Sequence, residues 1–253
     1  MRVEPIGSKR VYQTKRNPDG TIQYKARLVI TGYEQTDFGE TYAPVGKLTT
    51  FRYLISLIAK YGWNIDHLDV ATAFLNPGVD DDDIYRTLPA GWPDGLNIPT
   101  ISVRLKTALH GLKHAPRLWH NDINTFLLSL EFKQCLADHN LYLRRDGILM
   151  LLSVDDIAML YREDATTAAI EVKARLSETS EIANLGPARQ FLGSEIHCEE
   201  NSTGTSTDTA ISLGQKTFIT TILKRFNMQN VDGASTPMDA NVKLALAEDR
   251  GEK

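Results

Sequence analysis

Apolar residues fall into two rhythms along this chain. In "TTFRYLISLIAKYGW", Phe51, Leu54, Ile55 and Ile58 stand at i, i+3, i+4 and i+7. That is the spacing of one helix face, and Thr49 or Thr50 is placed to cap it. Helical spacing returns in "APRLWHNDINTFLLSLEF" through Trp119, Ile123, Phe126, Leu127 and Leu130. It returns again in "DATTAAIEVKARLSET" and in "KTFITTILKRFNM", where Phe218, Ile222 and Phe226 form one stripe. Other segments are alternating or rich in β-branched residues. "KRNPDGTIQYKARLVITGY" reads as a β-hairpin turning at Asn17–Gly20. "WNIDHLDVATAFL" reads as a strand running to Asp69 and Val70. "LYLRRDG" and "ILMLLSV" read as strands joined by a turn at Asp146–Gly147, with "IAMLYR" as the next strand. "ARQFLGSEIHCEE" reads as a strand that runs into the polar loop "NSTGTSTDTA", and "LPAGWPDGLNIP" as a turn-rich loop. Helices interspersed with consecutive strands predict an α+β fold, a sheet with helices on one face.

Two carboxylates interrupt this pattern. "LLSVDDIAML" sets Asp155 and Asp156 between two apolar strands, where a carboxylate is costly unless it is paired or binds a metal. Neighbouring strand side chains point to opposite faces, so only one of the two aims squarely at a shared ion. A further carboxylate must come from elsewhere. Asp69, at the end of another predicted core strand, is the natural candidate. Two aspartates on neighbouring strands suit Mg2+, which takes oxygen ligands and bridges substrate phosphates. A two-ion site about 4 Å across activates an attacking hydroxyl and stabilises the leaving oxygen. The plain alternative is a solvated hairpin turn.

Length and composition set wide bounds. With 253 residues, 42% hydrophobic and 24% charged, the chain is long enough for one large domain or two modest ones. No apolar run approaches the roughly 18–20 residues of a membrane span, and the polar, basic start has no secretory h-region. Cys135 and Cys198 are the only cysteines; they could pair, but so few fit a reducing compartment better. The net charge of −4 does not point to nucleic acid, but its distribution does. Residues 1–60 hold ten Lys/Arg and five Asp/Glu, and residues 101–120 hold four Lys/Arg, three His and no acid. "VDDDDIY" packs four acids together. Such asymmetry suits an electrostatic groove, although scattered solvated faces give the same counts. His110 and His114 are four apart, but Pro116 places them before the helix and no Cys or acid is near, so no zinc site is expected.

Seven blocks in order carry a resemblance: "KARLVITGYEQ", "TYAPVGKLTTFRYLISLIAKYGW", "LDVATAFLNPGVDDDDIY", "LKTALHGLKHAPRLWH", "LYLRRDGILMLLSVDDIAML", "NLGPARQFLGSEI" and "KTFITTILKRFNMQNVDGASTPM". Together they resemble the reverse transcriptase domain of copia-type LTR retrotransposons, the Pseudoviridae pol polyproteins, from about Ile6 to about Met238. The resemblance implies a right-hand polymerase with an antiparallel palm sheet backed by helices. Fingers and palm would cover about 6–200 and a thumb-like part about 211–238, with 239–253 a loose tail. It implies RNA-directed DNA polymerase activity on an RNA or DNA template–primer with dNTPs, using Mg2+ or, as a substitute, Mn2+. Asp69, Asp155 and Asp156 would be the catalytic and metal-binding aspartates, with Asp69 and Asp155 as direct ligands. Lys25, Arg27, Thr72, Ala73 and Phe74 would meet the dNTP, Phe74 as a gate against the ribose 2′-hydroxyl. Gly111, Lys113, Arg117, Phe191, Leu192 and Gly193 would meet template and primer, the last three in a primer-grip hairpin. Lys216, Lys224 and Arg225 could track the duplex. Other domains of the pol polyprotein would be partners in a complete element, at an intracellular site: cytoplasmic, in a virus-like particle, or nuclear.

The chain departs from the family pattern at several positions. Ser153 stands where the family has Tyr before Val-Asp-Asp, Thr31 replaces a basic residue, and Arg10 replaces a Trp. The usual "YGLKQAPR" reads "HGLKHAPR". None removes an expected metal ligand. No zinc knuckle or protease motif is found, and neither integrase nor RNase H is expected within these residues. Two other readings stand beside the polymerase: an inactive retrotransposon remnant that folds and binds nucleic acid, and an unrelated Mg2+ phosphohydrolase using the same aspartates.

Overall fold

A computed structural model describes residues 4–16, 21–36, 39–79, 84–89, 102–179, 181–200 and 209–235. The expected turn at Asn17–Gly20, most of the loops at 88–99 and 201–210, the acidic run at 80–83 and the tail 239–253 lie outside them. The chain divides into two compact units, Met1–Gly214 and Gln215–Lys253.

The first unit is built on a six-stranded antiparallel sheet. In chain order its strands are β3 (Asn64–Val70), β6 (Lys133–Gln134), β7 (Leu141–Leu143), β8 (Leu149–Ser153), β9 (Asp156–Tyr161) and β10 (Ile182–Pro187). Across the sheet the order is β10-β3-β9-β8-β7-β6. Alternation along β3, β8 and β9 supplies two apolar faces. Leu68, Val70, Met150, Leu152, Ile157 and Met159 share a core with Trp119, Ile123 and Leu127 of helix α2 (Ala115–Ser129) and with Ala169, Val172 and Leu176 of helix α3 (Thr166–Thr179). Ile65, Leu149, Leu151, Ala158 and Leu160 share another with Phe51, Leu54, Ile55 and Ile58 of helix α1 (Leu48–Tyr61). Helices therefore cover both faces, not one as expected. The near-continuous apolar runs of β8 and β9 are the physical reason, since a sheet wet on one face alternates instead.

Helix α1 corrects a second expectation. Neither Thr49 nor Thr50 caps it; Lys47 holds the cap position, and its side chain makes no capping bond to the helix but donates to the Ala137 carbonyl at 2.7 Å. Asp138 ties down the start of the helix from a distance. Its Oδ2 accepts the Lys47 N–H at 3.1 Å and the Thr50 hydroxyl at 2.6 Å, and its Oδ1 accepts the Asn140 N–H at 3.1 Å. Gly62, left-handed at φ 64, ends the helix.

A hairpin of β1 (Ser8–Arg16) and β2 (Ile22–Ile30) runs outward from this body. Its base is anchored by Ile30 in a third cluster with Ile6, Val79, Ile84, Leu105, Ala108 and Leu112. The short pair β4 (Tyr85–Thr87) and β5 (Ser102–Arg104) joins the same region, with Ile6 bridged to Arg86. The segment from Ala188, one strand by its pattern but a hairpin around Phe191–Gly193 by the resemblance, is a hairpin: β11 (Gln190–Phe191), a turn at Leu192–Gly193, and β12 (Ser194–Glu200), which pairs on with β13 (Thr209–Gly214). Leu192 and Gly193 both have positive φ, 48 and 72, as a tight hairpin turn requires.

Asp66, buried on β3, accepts from the Tyr161 hydroxyl at 2.8 Å and forms an ion pair with Lys173 of α3. That pair ties the middle of β3 to the helix behind it. Cys135 and Cys198 are free thiols. In the second unit, helix α4 (Lys216–Arg225) has no buried residue, and Phe218, Ile222 and Phe226 lie on its surface. No described helix is long and apolar enough to cross a membrane.

Candidate functional site

The β8–β9 hairpin closes on two residues, Val154 and Asp155, between the paired Ser153 and Asp156. Val154 is left-handed at φ 59. The Asp155 carbonyl accepts the Val70 N–H at 2.8 Å, stitching the turn to the end of β3. In the β3–β9 ladder Asp69 pairs with Asp156 and His67 with Ala158. Residues directly opposite in an antiparallel pair share a face. Asp156 is therefore the carboxylate set beside Asp69, with exposed Asp155 at the turn next to them.

Electrostatics record this crowding. The Asp69 carboxyl is held above the ordinary carboxylate range by burial, then by the Asp156 and Asp155 charges; His67 and Lys25 oppose the rise. His67 Nε2 donates to Asp156 Oδ1 at 2.7 Å, and its ring meets Phe191 edge-on at 6.0 Å. Negative charge is thus concentrated at the strand ends and only partly compensated by the protein.

Lys25 and Arg27 lie two apart on β2 and so share a face of the hairpin. Arg27 donates to Gln13 Oε1 at 3.4 Å. Both cations help depress the His110 imidazole, whose burial is the largest cause, while Asp155 opposes them. His110 stands edge-on to Phe74 at 5.9 Å. After β3, Thr72 turns left-handed at φ 54 into the single 3-10 turn Ala73–Leu75. Ala73 is buried and Phe74 half-buried. Asp69, Asp155, Asp156, Lys25, Arg27, Phe74 and His110 thus form one electrostatic and steric neighbourhood from four chain segments.

The next block is bound up with the protein's own backbone. Gly111, at φ 96, lets the chain pass against Ile30; a Cβ there would sit 2.1 Å from the Ile30 carbonyl oxygen. The Ile30 N–H donates to the His110 carbonyl at 2.8 Å. The close approach expected of Gly111 is therefore to strand β2. The Lys113 ammonium donates to the Gln35 carbonyl at 2.9 Å, and its N–H to Gln35 Oε1 at 3.2 Å. Arg117, in the first turn of α2, is half-buried, and its Nε has no hydrogen-bond partner among the described residues. Phe191 is core, tilted against Phe51 at 5.3 Å. Leu192 is half-buried, and only Gly193 of the three is exposed.

The donor set can be tested against a metal. Among the described residues no three His, Cys, Asp or Glu converge as a cage. That excludes the closed geometry of a structural zinc centre. Asp69, Asp155 and Asp156 are thus not gathered into a three-ligand group, and the oxygen donors are the paired Asp69 and Asp156 with Asp155 at the turn. Mg2+ is commonly held through one or two carboxylates, its shell completed by water and substrate phosphates. An all-oxygen platform with surplus negative charge fits that ion.

His67 escaped the sequence reading, and His110 entered it only as half of a metal pair that was set aside, not as a neighbour of Phe74. His67 was legible in principle: it stands two positions before Asp69 on a strand, hence on the same face. His110 carried no such signal, because its neighbour Phe74 is 36 positions away.

A family model described as reverse transcriptase (RNA-dependent DNA polymerase) matches residues 1–240. The chain is 34% identical over 249 residues to the retrovirus-related Pol polyprotein from transposon TNT 1-94 of Nicotiana tabacum, covering 95% of this chain and 18% of that protein. It is 33% identical over 248 residues to the retrovirus-related Pol polyprotein from transposon RE1 of Arabidopsis thaliana, covering 95% and 16%. The chain therefore spans under a fifth of either relative's length. Candida albicans telomerase, in complex with a TWJ fragment of telomeric RNA, is similar at a TM-score of 0.38 and 11% identity over 92% of this chain and 52% of that one. So distant a likeness carries no argument.

Proposed function

The chain belongs to the reverse transcriptase (RNA-dependent DNA polymerase) family, as found in copia-type Pol polyproteins, and from that premise we propose that its aspartate cluster adds deoxynucleotides to a primer 3′-hydroxyl on an RNA or DNA template. The observation that carries this reading is the register that sets Asp69 beside Asp156, with Asp155 next to them and the Asp69 carboxyl pushed up by the crowding. A site that concentrates uncompensated charge is built for a cation, and Mg2+ is the ion proposed, with Mn2+ as a substitute. Bound there, it would neutralise developing charge and lower the pKa of the primer hydroxyl.

The chain's own residues then have distinct tasks. Asp69, Asp155 and Asp156 hold the cation side of the site, and His67 takes one Asp156 oxygen and leaves the other free to act. Lys25 and Arg27 bind the triphosphate, Arg27 with a permanent planar charge suited to phosphate oxygens. The backbone around Thr72 and Ala73 approaches the same phosphates. Phe74, braced by His110, occupies the space a ribose 2′-hydroxyl would need. Leu192 and Gly193 at the β11–β12 turn meet the primer end, and Arg117 the template strand. In this reading the six-stranded sheet is the palm, the β1–β2 hairpin belongs to the fingers, and α4 to the thumb-like segment. Other pol domains and dNTPs complete the set of partners.

The test is templated choice. Four RNA templates differing only in the first unpaired base should each direct addition of the complementary deoxynucleotide. Addition without regard to the template, or by an Asp69→Asn protein, would overturn the reading.

A further inference from the structure

We propose that Trp119 is a positioning residue for the aspartate hairpin, its indole N–H holding the Val154–Asp155 turn in a shape the turn does not favour alone. The proposal rests on the reading of Asp69, Asp155 and Asp156 as the cation-bearing carboxylates. Trp119 sits on α2, is 3% exposed, and donates from Nε1 to the Val154 carbonyl at 2.7 Å. Val154 is left-handed at φ 59. That conformation is a genuine outlier for a β-branched residue, and it persists only where the surroundings impose it.

The turn is gripped at two successive carbonyls. Trp119 holds Val154 from the helix layer, and the Val70 N–H holds Asp155 from the strand that carries Asp69. Neither residue gripping the turn touches the reaction. A phenyl ring would fill much of the indole's place among Ile123, Leu152 and their neighbours, so packing alone does not call for tryptophan. A buried indole N–H needs an acceptor, and the acceptor here is the strained residue beside the two aspartates. Without the bond, Val154 relaxes toward negative φ. Its peptide planes then swing, and Asp155 and Asp156 shift against Asp69. Glycine adopts a left-handed φ without penalty, so in a Val154→Gly protein the turn has far less need of the tether.

A four-protein cycle tests this: wild type, Trp119→Phe, Val154→Gly and the double variant. Each is read by Mn2+ affinity from electron paramagnetic resonance and by kcat and KM for single-nucleotide addition, with thermal unfolding to confirm folding. Trp119→Phe in the wild-type background is expected to weaken Mn2+ binding and lower kcat by about tenfold or more, with KM for the nucleotide little changed, because small misplacements of reacting groups cost such factors. In the Val154→Gly background the same substitution should cost under about threefold, a coupling that a purely structural role does not produce. Losses that multiply without coupling, or a Trp119→Phe protein equal to wild type, overturn the proposal. If wild type and Asp155→Asn bind Mn2+ equally, the underlying metal reading fails and the proposal falls with it, a failure already visible before Trp119 is touched. Should Trp119→Phe not fold, replacing Trp63 and Trp92 by Phe leaves one indole in the protein. Slow exchange of its N–H supports the bond; fast exchange refutes it.

Discussion

Replacing Asp69 by Asn should stabilise the metal-free protein while removing its chemistry. Asp69 and Asp156 stand directly opposite in the antiparallel ladder, which puts their Cβ atoms about 4.5–5.5 Å apart. Two unit charges about 5.5 Å apart repel by about 3 kcal/mol at an effective dielectric of about 20 and by about 0.8 kcal/mol in water. The Asp156 side chain is 43% exposed and His67 compensates part of its charge, so the lower end applies, about 1 kcal/mol. For a unit of this size that is a rise in Tm of about 2–4 °C. The pH dependence follows from the raised Asp69 carboxyl. Its folded form holds the proton more tightly than the unfolded chain does. The cost is therefore absent below the ordinary carboxylate value and grows as pH rises through the raised one. Thermal unfolding of both proteins, without divalent ions at low salt from about pH 3 to 8, a range that spans the titration, should show Asp69→Asn ahead at neutral pH. The gap should close on acidification and shrink with added salt. An Asp69→Asn protein no more stable than wild type at neutral pH would refute the crowding argument.

Gly111→Ala forces a Cβ against the Ile30 carbonyl at a positive φ and should cost about 2–3 kcal/mol in urea unfolding. Asp138→Ala removes the bonds to Lys47, Thr50 and Asn140 at the start of α1 and should cost about 1–2 kcal/mol. Burial pushes the Asp138 carboxyl up, but those bonds outweigh it and leave it below its ordinary value. Its contribution is thus present above the ordinary carboxylate value and lost as pH falls through the lowered one, so the gap between Asp138→Ala and wild type closes in acid. Phe74→Val should raise ribonucleotide incorporation relative to deoxynucleotide by about tenfold or more, measured as a ratio of kcat/KM; an unchanged ratio would take the gate role from Phe74.

Much of this architecture was legible because its signals are local. The i, i+3, i+4, i+7 apolar faces of α1 and α2 and the apolar runs of β8 and β9 announce themselves, and two aspartates between buried strands are hard to explain otherwise. What escaped depends on distant partners. Asp138 ties down the start of a helix about 90 positions away, and no local pattern marks it. Strand β10, "IANLGP", is an edge with Gly and Pro and mostly exposed positions, so it lacks alternation. Covering of the second sheet face by α1 depends on how the elements fold over one another. The alternation rule was sound in separating Asp155 from Asp156, but only the ladder register shows that Asp156 is the one opposite Asp69.

The measurement closest to the central claim is dTTP incorporation on poly(rA)/oligo(dT) with Mg2+ and then Mn2+, comparing the chain with Asp155→Asn and recording duplex binding in the same samples. Incorporation by the unaltered chain that disappears in Asp155→Asn, with duplex binding and folding intact in both, is the predicted result. A folded, duplex-binding chain that incorporates nothing with either ion, or an Asp155→Asn protein as active as its parent, would contradict it.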